Sequence, residues 1–115
     1  MKLQDKVAIV TGGGRGLGRS VALLFGKEGA NVVIAAHNET QIEHVAQELR
    51  ILRKNAIAVK TDVSRANEVE TLAHRTLDRF GAVHLLFNNA GVINKGGLLW
   101  EYSLTDWEWI INVNL

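Results

Sequence analysis

Thr11-Gly12-Gly13-Gly14-Arg15-Gly16-Leu17-Gly18 stands between an apolar run, Val7-Ala8-Ile9-Val10, and a stretch carrying Leu17, Val21, Leu24 and Phe25 at helical spacing. That order predicts a strand, a glycine turn and a helix. Such a layout brings an anion to a helix N-terminus. Glycines admit close backbone approach, and the free N–H groups and helix dipole favour negative charge. Spacing narrows the choice of motif. The common fingerprint Gly-x-Gly-x-x-Gly fails from Gly12, because Leu17 holds the third place, and from Gly14, because Arg19 does. The glycines in register are Gly12, Gly16 and Gly18, preceded by Thr11.

Outward from this turn the chain alternates strand and helix. Lys6 to Val10 reads as the first strand, apolar throughout as in a parallel sheet buried on both faces. The helix runs to about Lys27, with Gly18 and Ala22 small enough to pack closely on that strand and Gly29 as its stop signal. Asn31 to Ala36 is the second strand. Ile42, Val45, Ala46 and Leu49, with Leu52 or Arg53, form a helical stripe, and Ala56 to Val59 the third strand. Val69, Leu72, Ala73, Thr76, Leu77 and Phe80 make another stripe ended by Gly81, and Val83 to Phe87 a fourth strand. Gly96-Gly97 reads as a loop. Ser103 to Asp106 fits a capping box before a helix with Trp107, Ile110, Ile111 and Asn114 on one face. The pattern predicts an α/β fold: four parallel strands in order 3-2-1-4 with helices on both faces.

Composition sets the class. The 115 residues carry 13 basic and 12 acidic side chains, well mixed, for a net charge of +1. That balance points away from nucleic acid and membrane surfaces as partners. With no cysteine, disulfides and thiolate metal sites are excluded, and His37, His44, His74 and His84 lack metal-ligand spacing. No metal is expected. The N-terminus has no signal-like apolar segment, and no run is long enough to span a bilayer, so a cytoplasmic protein is expected. The last residues, Ile110 to Leu115, lie inside an apolar helical pattern without a cap, which reads as the front part of something longer.

Two further stretches matter. Asp62-Val63 follows the third strand directly, at the end of the sheet where ligands of open α/β folds sit. Asn88-Asn89-Ala90-Gly91 closes the fourth strand. With Thr11-Gly12-x-x-x-Gly16-x-Gly18, these place the resemblance: essentially all 115 residues resemble the cofactor-binding front of the short-chain dehydrogenase/reductase family, classical branch. The extended branch has a glycine where Arg15 stands. The resemblance implies a partial Rossmann-type doubly wound sheet and a nicotinamide dinucleotide held by Thr11, Gly12, Gly14, Arg15, Gly16, Leu17 and Gly18. It implies that Asp62 and Val63 hold the adenine ring, the carboxylate accepting from the exocyclic amine. Asp62 or Ser64 as a cap for the next helix is the alternative. It implies that Asn89 contacts the cofactor, that Asn88 serves the sheet, and that Ala90 and Gly91 form the floor under the nicotinamide ribose.

The second strand bears on cofactor choice. NAD-selective sites often place an acid after it, on the ribose 2′-hydroxyl. This chain has Ala36 and then His37, with no acid until Glu39. Related reductases that prefer NADPH carry basic residues at the places of Arg15 and His37. The resemblance therefore implies NADP(H), with NAD(H) possible; the alternative is that His37 is only a solvated loop residue.

Family members transfer hydride between the nicotinamide and a small carbonyl or alcohol. A tyrosine, a lysine four residues later and a serine supply the acid chemistry, and the complete proteins associate as homo-oligomers. The one tyrosine here, Tyr102, has Asp106 four residues on and precedes Asn114, so it is not that tyrosine. Asn114, in its Val-Asn-Leu setting, resembles the asparagine that supports a water linked to the catalytic lysine; a core amide satisfied by backbone is the alternative. Three readings stand. One is a fragment of a carbonyl reductase or alcohol dehydrogenase, inactive alone. Another is a non-catalytic nucleotide-binding module. The third is a truncated product that neither folds nor binds alone.

Overall fold

In a computed structural model of the chain, residues 2–12, 14–88, 92–93 and 97–98 are described. Four strands, β1 (Val7–Thr11), β2 (Asn31–Ala36), β3 (Ala56–Lys60) and β4 (Leu85–Asn88), alternate with helices α1 (Gly16–Lys27), α2 (Glu39–Ile51) and α3 (Ala66–Phe80). The strands form one sheet in order β3-β2-β1-β4, every pair parallel. This is the order expected from the alternation of strands and helices.

Alternation along each strand sorts the core into two layers. Ala8, Val10, Val32 and Ile34 pack with Ala22 of α1 and with Ile42, Val45, Ala46 and Leu49 of α2. Ile9, Val33, Ala35 and Val59 pack with Val69, Leu72 and Ala73 of α3. Because both faces are covered, β1 and β2 carry unbroken apolar runs. The expected stripes of α2 and α3 face the core, except that Leu52 and Arg53 lie beyond α2 and are exposed, and Leu77 and Phe80 of α3 are only half-buried.

Helix ends follow local chemistry. Asn38 caps α2, its Oδ1 accepting from the Gln41 N–H at 3.1 Å. Gly81 closes α3, its N–H donating to the Leu77 carbonyl at 2.7 Å. Gly18, Ala22 and Gly26 line the buried side of α1, and Arg19 of α1 pairs with Glu48 of α2 at 2.5 Å.

Four places differ from the sequence reading, the first being β3, which runs past Val59 to Lys60. β1 begins at Val7 and extends through Thr11, because β4 continues the ladder as far as Asn88 opposite Thr11. β4 begins at Leu85, not Val83. Gly97 is not loop: with Leu98 it forms β6 (Gly97–Leu98), antiparallel to β5 (Val92–Ile93). The expected capping box at Ser103 and the helix bearing Trp107, Ile110 and Ile111 lie outside the described residues.

The start of β4 is explained by His84. Its backbone N–H donates to the Val7 carbonyl at 2.9 Å, and its ring Nδ1 accepts from the Val7 N–H at 2.9 Å. An imidazole thus stands in for a backbone carbonyl on the first rung. Val7 is buried, so its N–H has no water to fall back on. His84→Leu is expected to cost about 1–3 kcal/mol, the penalty of an orphaned buried donor. Urea unfolding measures it. His84→Asn, which keeps an acceptor at short reach, is expected to recover part of the loss.

Candidate functional site

The carboxyl ends of β1, β2 and β3 deliver three short segments to one cleft of about 490 Å³. The first is the glycine turn after β1. The Gly12 N–H donates to the Ala35 carbonyl at 2.7 Å, which ties the turn to β2. Gly14 lies against the first turn of α2, where an added Cβ would come within 2.8 Å of the Gln41 Cβ. Arg15 is extended, exposed and without an ion-pair partner among the described residues. Gly16 opens α1 at φ +59°, in the left-handed region, and an added Cβ would meet nothing within 4 Å. No side chain caps α1, and no acid sits in its first turn.

The second segment is Ala36-His37-Asn38, which leads from β2 to the capped start of α2. The third is Thr61-Asp62-Val63. Thr61 is held twice: its N–H donates to the Ala36 carbonyl at 2.8 Å, and its hydroxyl donates to the Val59 carbonyl at 3.0 Å.

Asp62 carries the carboxylate of the cleft. Its Oδ1 accepts from the Ser64 N–H at 3.0 Å and from the Ser64 hydroxyl at 2.6 Å. These two donations, the hydroxyl's first, hold the carboxyl below the ordinary carboxylate range, with the charges of Arg65 and His37 adding and slight burial opposing. The group is an acceptor at neutral pH. Sign follows: a depressed carboxyl stabilises the fold above its ordinary range and ceases to do so as acid protonates it. At 47% exposure solvent screens that contribution to little.

Of the residues singled out from sequence, Gly12, Gly14, Arg15, Gly16, Leu17, His37, Asp62 and Val63 line this cleft. Thr11 and Gly18 do not. Thr11 is buried in β1, its hydroxyl donating to the Phe87 carbonyl at 3.4 Å, and Gly18 is buried on α1. The capping alternative for Asp62 and Ser64 does not hold: α3 has Arg65 at its N-cap with no side-chain bond, and the two residues bond each other instead. Asn89, Ala90, Gly91 and Asn114 lie outside the described residues, as does Tyr102. Asn38, Gln41 and Thr61 also line the cleft and were not singled out. Asn38 had a readable signal, an N-cap residue before Glu39 at the head of an apolar stripe.

A family model for short chain dehydrogenases matches residues 6–115. The chain belongs to that family. A cyclohexanol dehydrogenase from Acinetobacter sp. (strain SE19) is 35% identical over 114 residues, covering 99% of this chain and 45% of that protein. A crystal structure of a short-chain dehydrogenase/reductase from Burkholderia phymatum in complex with NAD is 43% identical, with a TM-score of 0.76 over 96% of this chain and 39% of its own. A metagenomic short-chain oxidoreductase in complex with NADP is 33% identical, with a TM-score of 0.76 over 80% and 42%. The chain thus spans less than half the length of these family members. Among the described residues no helix is long and apolar enough to cross a membrane, and no cluster of His, Cys, Asp or Glu could hold a metal.

Proposed function

We propose that this chain is the dinucleotide-binding portion of an oxidoreductase that uses NADP(H) to interconvert a small carbonyl compound and an alcohol. The observation that carries the reading is the cleft itself, where a glycine turn, two basic side chains and one ionised carboxylate meet at the carboxyl ends of three parallel strands. The backbone of Gly12, Gly14 and Gly16, with the uncapped N-terminus of α1, suits a pyrophosphate. Asp62 and Val63 suit an adenine, and exposed Leu17 offers an apolar surface to a ring. When bound, the nicotinamide supplies the hydride or takes it up. Asn89, Ala90 and Gly91 are assigned to its ribose, and Asn114 to the water near the catalytic lysine of the whole protein, on the resemblance alone. The whole protein acts, in this reading, as a soluble homo-oligomer.

Preference for NADP(H) rests on what surrounds the end of β2. Ala36 is small, His37 follows it, and Arg15 faces the same cleft without an ion-pair partner among the described residues. Arg15→Ala is expected to weaken NADPH binding by roughly tenfold, about one charged hydrogen bond, and NADH binding far less. His37→Asp is expected to reverse the preference by opposing a 2′-phosphate and accepting from a 2′-hydroxyl. Titration of nicotinamide fluorescence reads both. Unchanged NADPH affinity in both variants contradicts the assignment.

A further inference from the structure

We propose that Ser64 and Glu68 are positioning residues that hold Asp62 with one carboxylate oxygen satisfied and the other left for a ligand. Their hold sharpens the contact with the adenine amine that the resemblance gives to Asp62, so that a carbonyl oxygen at the 6-position is rejected. This rests on the dinucleotide reading above and names what makes its base pocket selective.

The geometry accounts for each polar atom of Asp62 in turn. Oδ1 accepts two bonds from Ser64, at 3.0 Å from the N–H and 2.6 Å from the hydroxyl. The Asp62 carbonyl accepts from the Arg65 N–H at 3.0 Å. The Asp62 N–H donates to Glu68 Oε1 at 2.8 Å, six residues ahead. Oδ2 accepts no hydrogen bond among the described residues; it forms an exposed ion pair with the Arg65 Nε at 3.8 Å, beyond hydrogen-bond distance, which leaves it open to a ligand's donor.

The Glu68 bond is unusual for its place. Glu68 is the third residue of α3, where a capping-box glutamate reaches back to the N–H of the N-cap. The N-cap here is Arg65, whose N–H is already bonded to Asp62. Glu68 therefore reaches past it and pins the cleft segment to α3. That bond fixes the Asp62 backbone relative to α3, while Ser64 fixes its carboxylate. Ser64 and Glu68 line no part of the cleft themselves, so any effect they have on the ligand passes through Asp62.

An ionised carboxylate only accepts hydrogen bonds. The 6-amine of adenine donates; the 6-oxygen of hypoxanthine accepts, and two acceptors facing each other repel. Fixing Oδ2 turns that difference into selectivity. A carboxylate free to rotate could turn away and lose it.

The test compares NADPH with its hypoxanthine counterpart, titrated by nicotinamide fluorescence into the 115-residue chain and its variants. The wild-type chain is expected to prefer NADPH by roughly tenfold, modest because Asp62 is half exposed. Ser64→Ala and Glu68→Ala are expected to shrink that preference to within about threefold, chiefly through weaker NADPH binding. Ser64→Thr keeps the hydroxyl and Glu68→Gln keeps an acceptor for the Asp62 N–H, so both are expected to retain the preference. A role in folding alone would weaken both dinucleotides by one factor, leave the ratio unchanged, and overturn the proposal. Equal binding of both by the wild-type chain overturns it too, while leaving the dinucleotide reading in place. Binding of neither by a wild-type chain with a folded circular dichroism spectrum overturns that reading and this proposal with it.

Discussion

Gly26→Val is expected to lower the melting temperature by roughly 10 °C or more, from about 3 kcal/mol of overpacking. A Cβ placed on Gly26 runs into the Leu49 Cδ2, and Leu49 is itself fully buried among Val45, Ala46 and the strands beneath. A flexible surface side chain would swing aside. Leu49 is fully buried in a close-packed core, so α1 must move off α2 or Leu49 must leave its rotamer. Helix propensity works the other way, since glycine is about 0.5 kcal/mol worse than valine in a helix. The clash is several times larger and decides the sign. Leu49→Ala alone is expected to cost about 2–5 kcal/mol by leaving a cavity. Together the two changes should cost clearly less than their sum, because valine at position 26 fills part of the space that Leu49 vacates. Thermal melts of the four proteins close the cycle. Strict additivity would show that α1 and α2 do not meet at this pair.

The same contact shows what sequence could convey and what it could not. Gly18 and Ala22 were readable as a small-residue stripe because their spacing is local. The partner of Gly26 is 23 positions away, and nothing near either residue announces it. The strand order was readable for a different reason: strands alternating with amphipathic helices admit few parallel arrangements, and the glycine turn marks the central strand. The cleft residues were readable wherever they sit on a motif, as Gly16 and Asp62 do. Residues that act through the backbone of distant segments were not. His84 looked like one histidine among four lacking metal spacing, yet it bonds Val7 across 77 positions. Glu68 looked like part of the wet face of α3, yet it holds the Asp62 backbone. Side-chain to backbone bonds leave no periodicity, so only coordinates reveal them.

The glycines of the turn, alike in sequence, differ in what a side chain would meet there, and this separates packing from binding. Gly14 has no room, since Gln41 of α2 occupies the place of its Cβ. Gly16 has room, since among the described residues no other segment comes within 4 Å of the place of its Cβ. Gly16→Val is therefore expected to weaken NADPH binding by roughly a hundredfold, about 3 kcal/mol, while the chain stays folded. Its cost to stability is the backbone term alone, about 1–2 kcal/mol for a side chain at φ +59° and at the upper end for a β-branched one. Overpacking adds little to that, because among the described residues no side chain or backbone of another segment lies within 4 Å of the new Cβ. Collision arises only when something enters the cleft. Gly16→Ala separates the two effects: it bears most of the backbone strain with far less volume, so it should lose similar stability and less affinity. Thermal melts and NADPH titrations of the three proteins measure both quantities. Equal affinity across the series would mean that the space beside Gly16 is not where the pyrophosphate sits, and the anion would then have to be sought away from the N-terminus of α1.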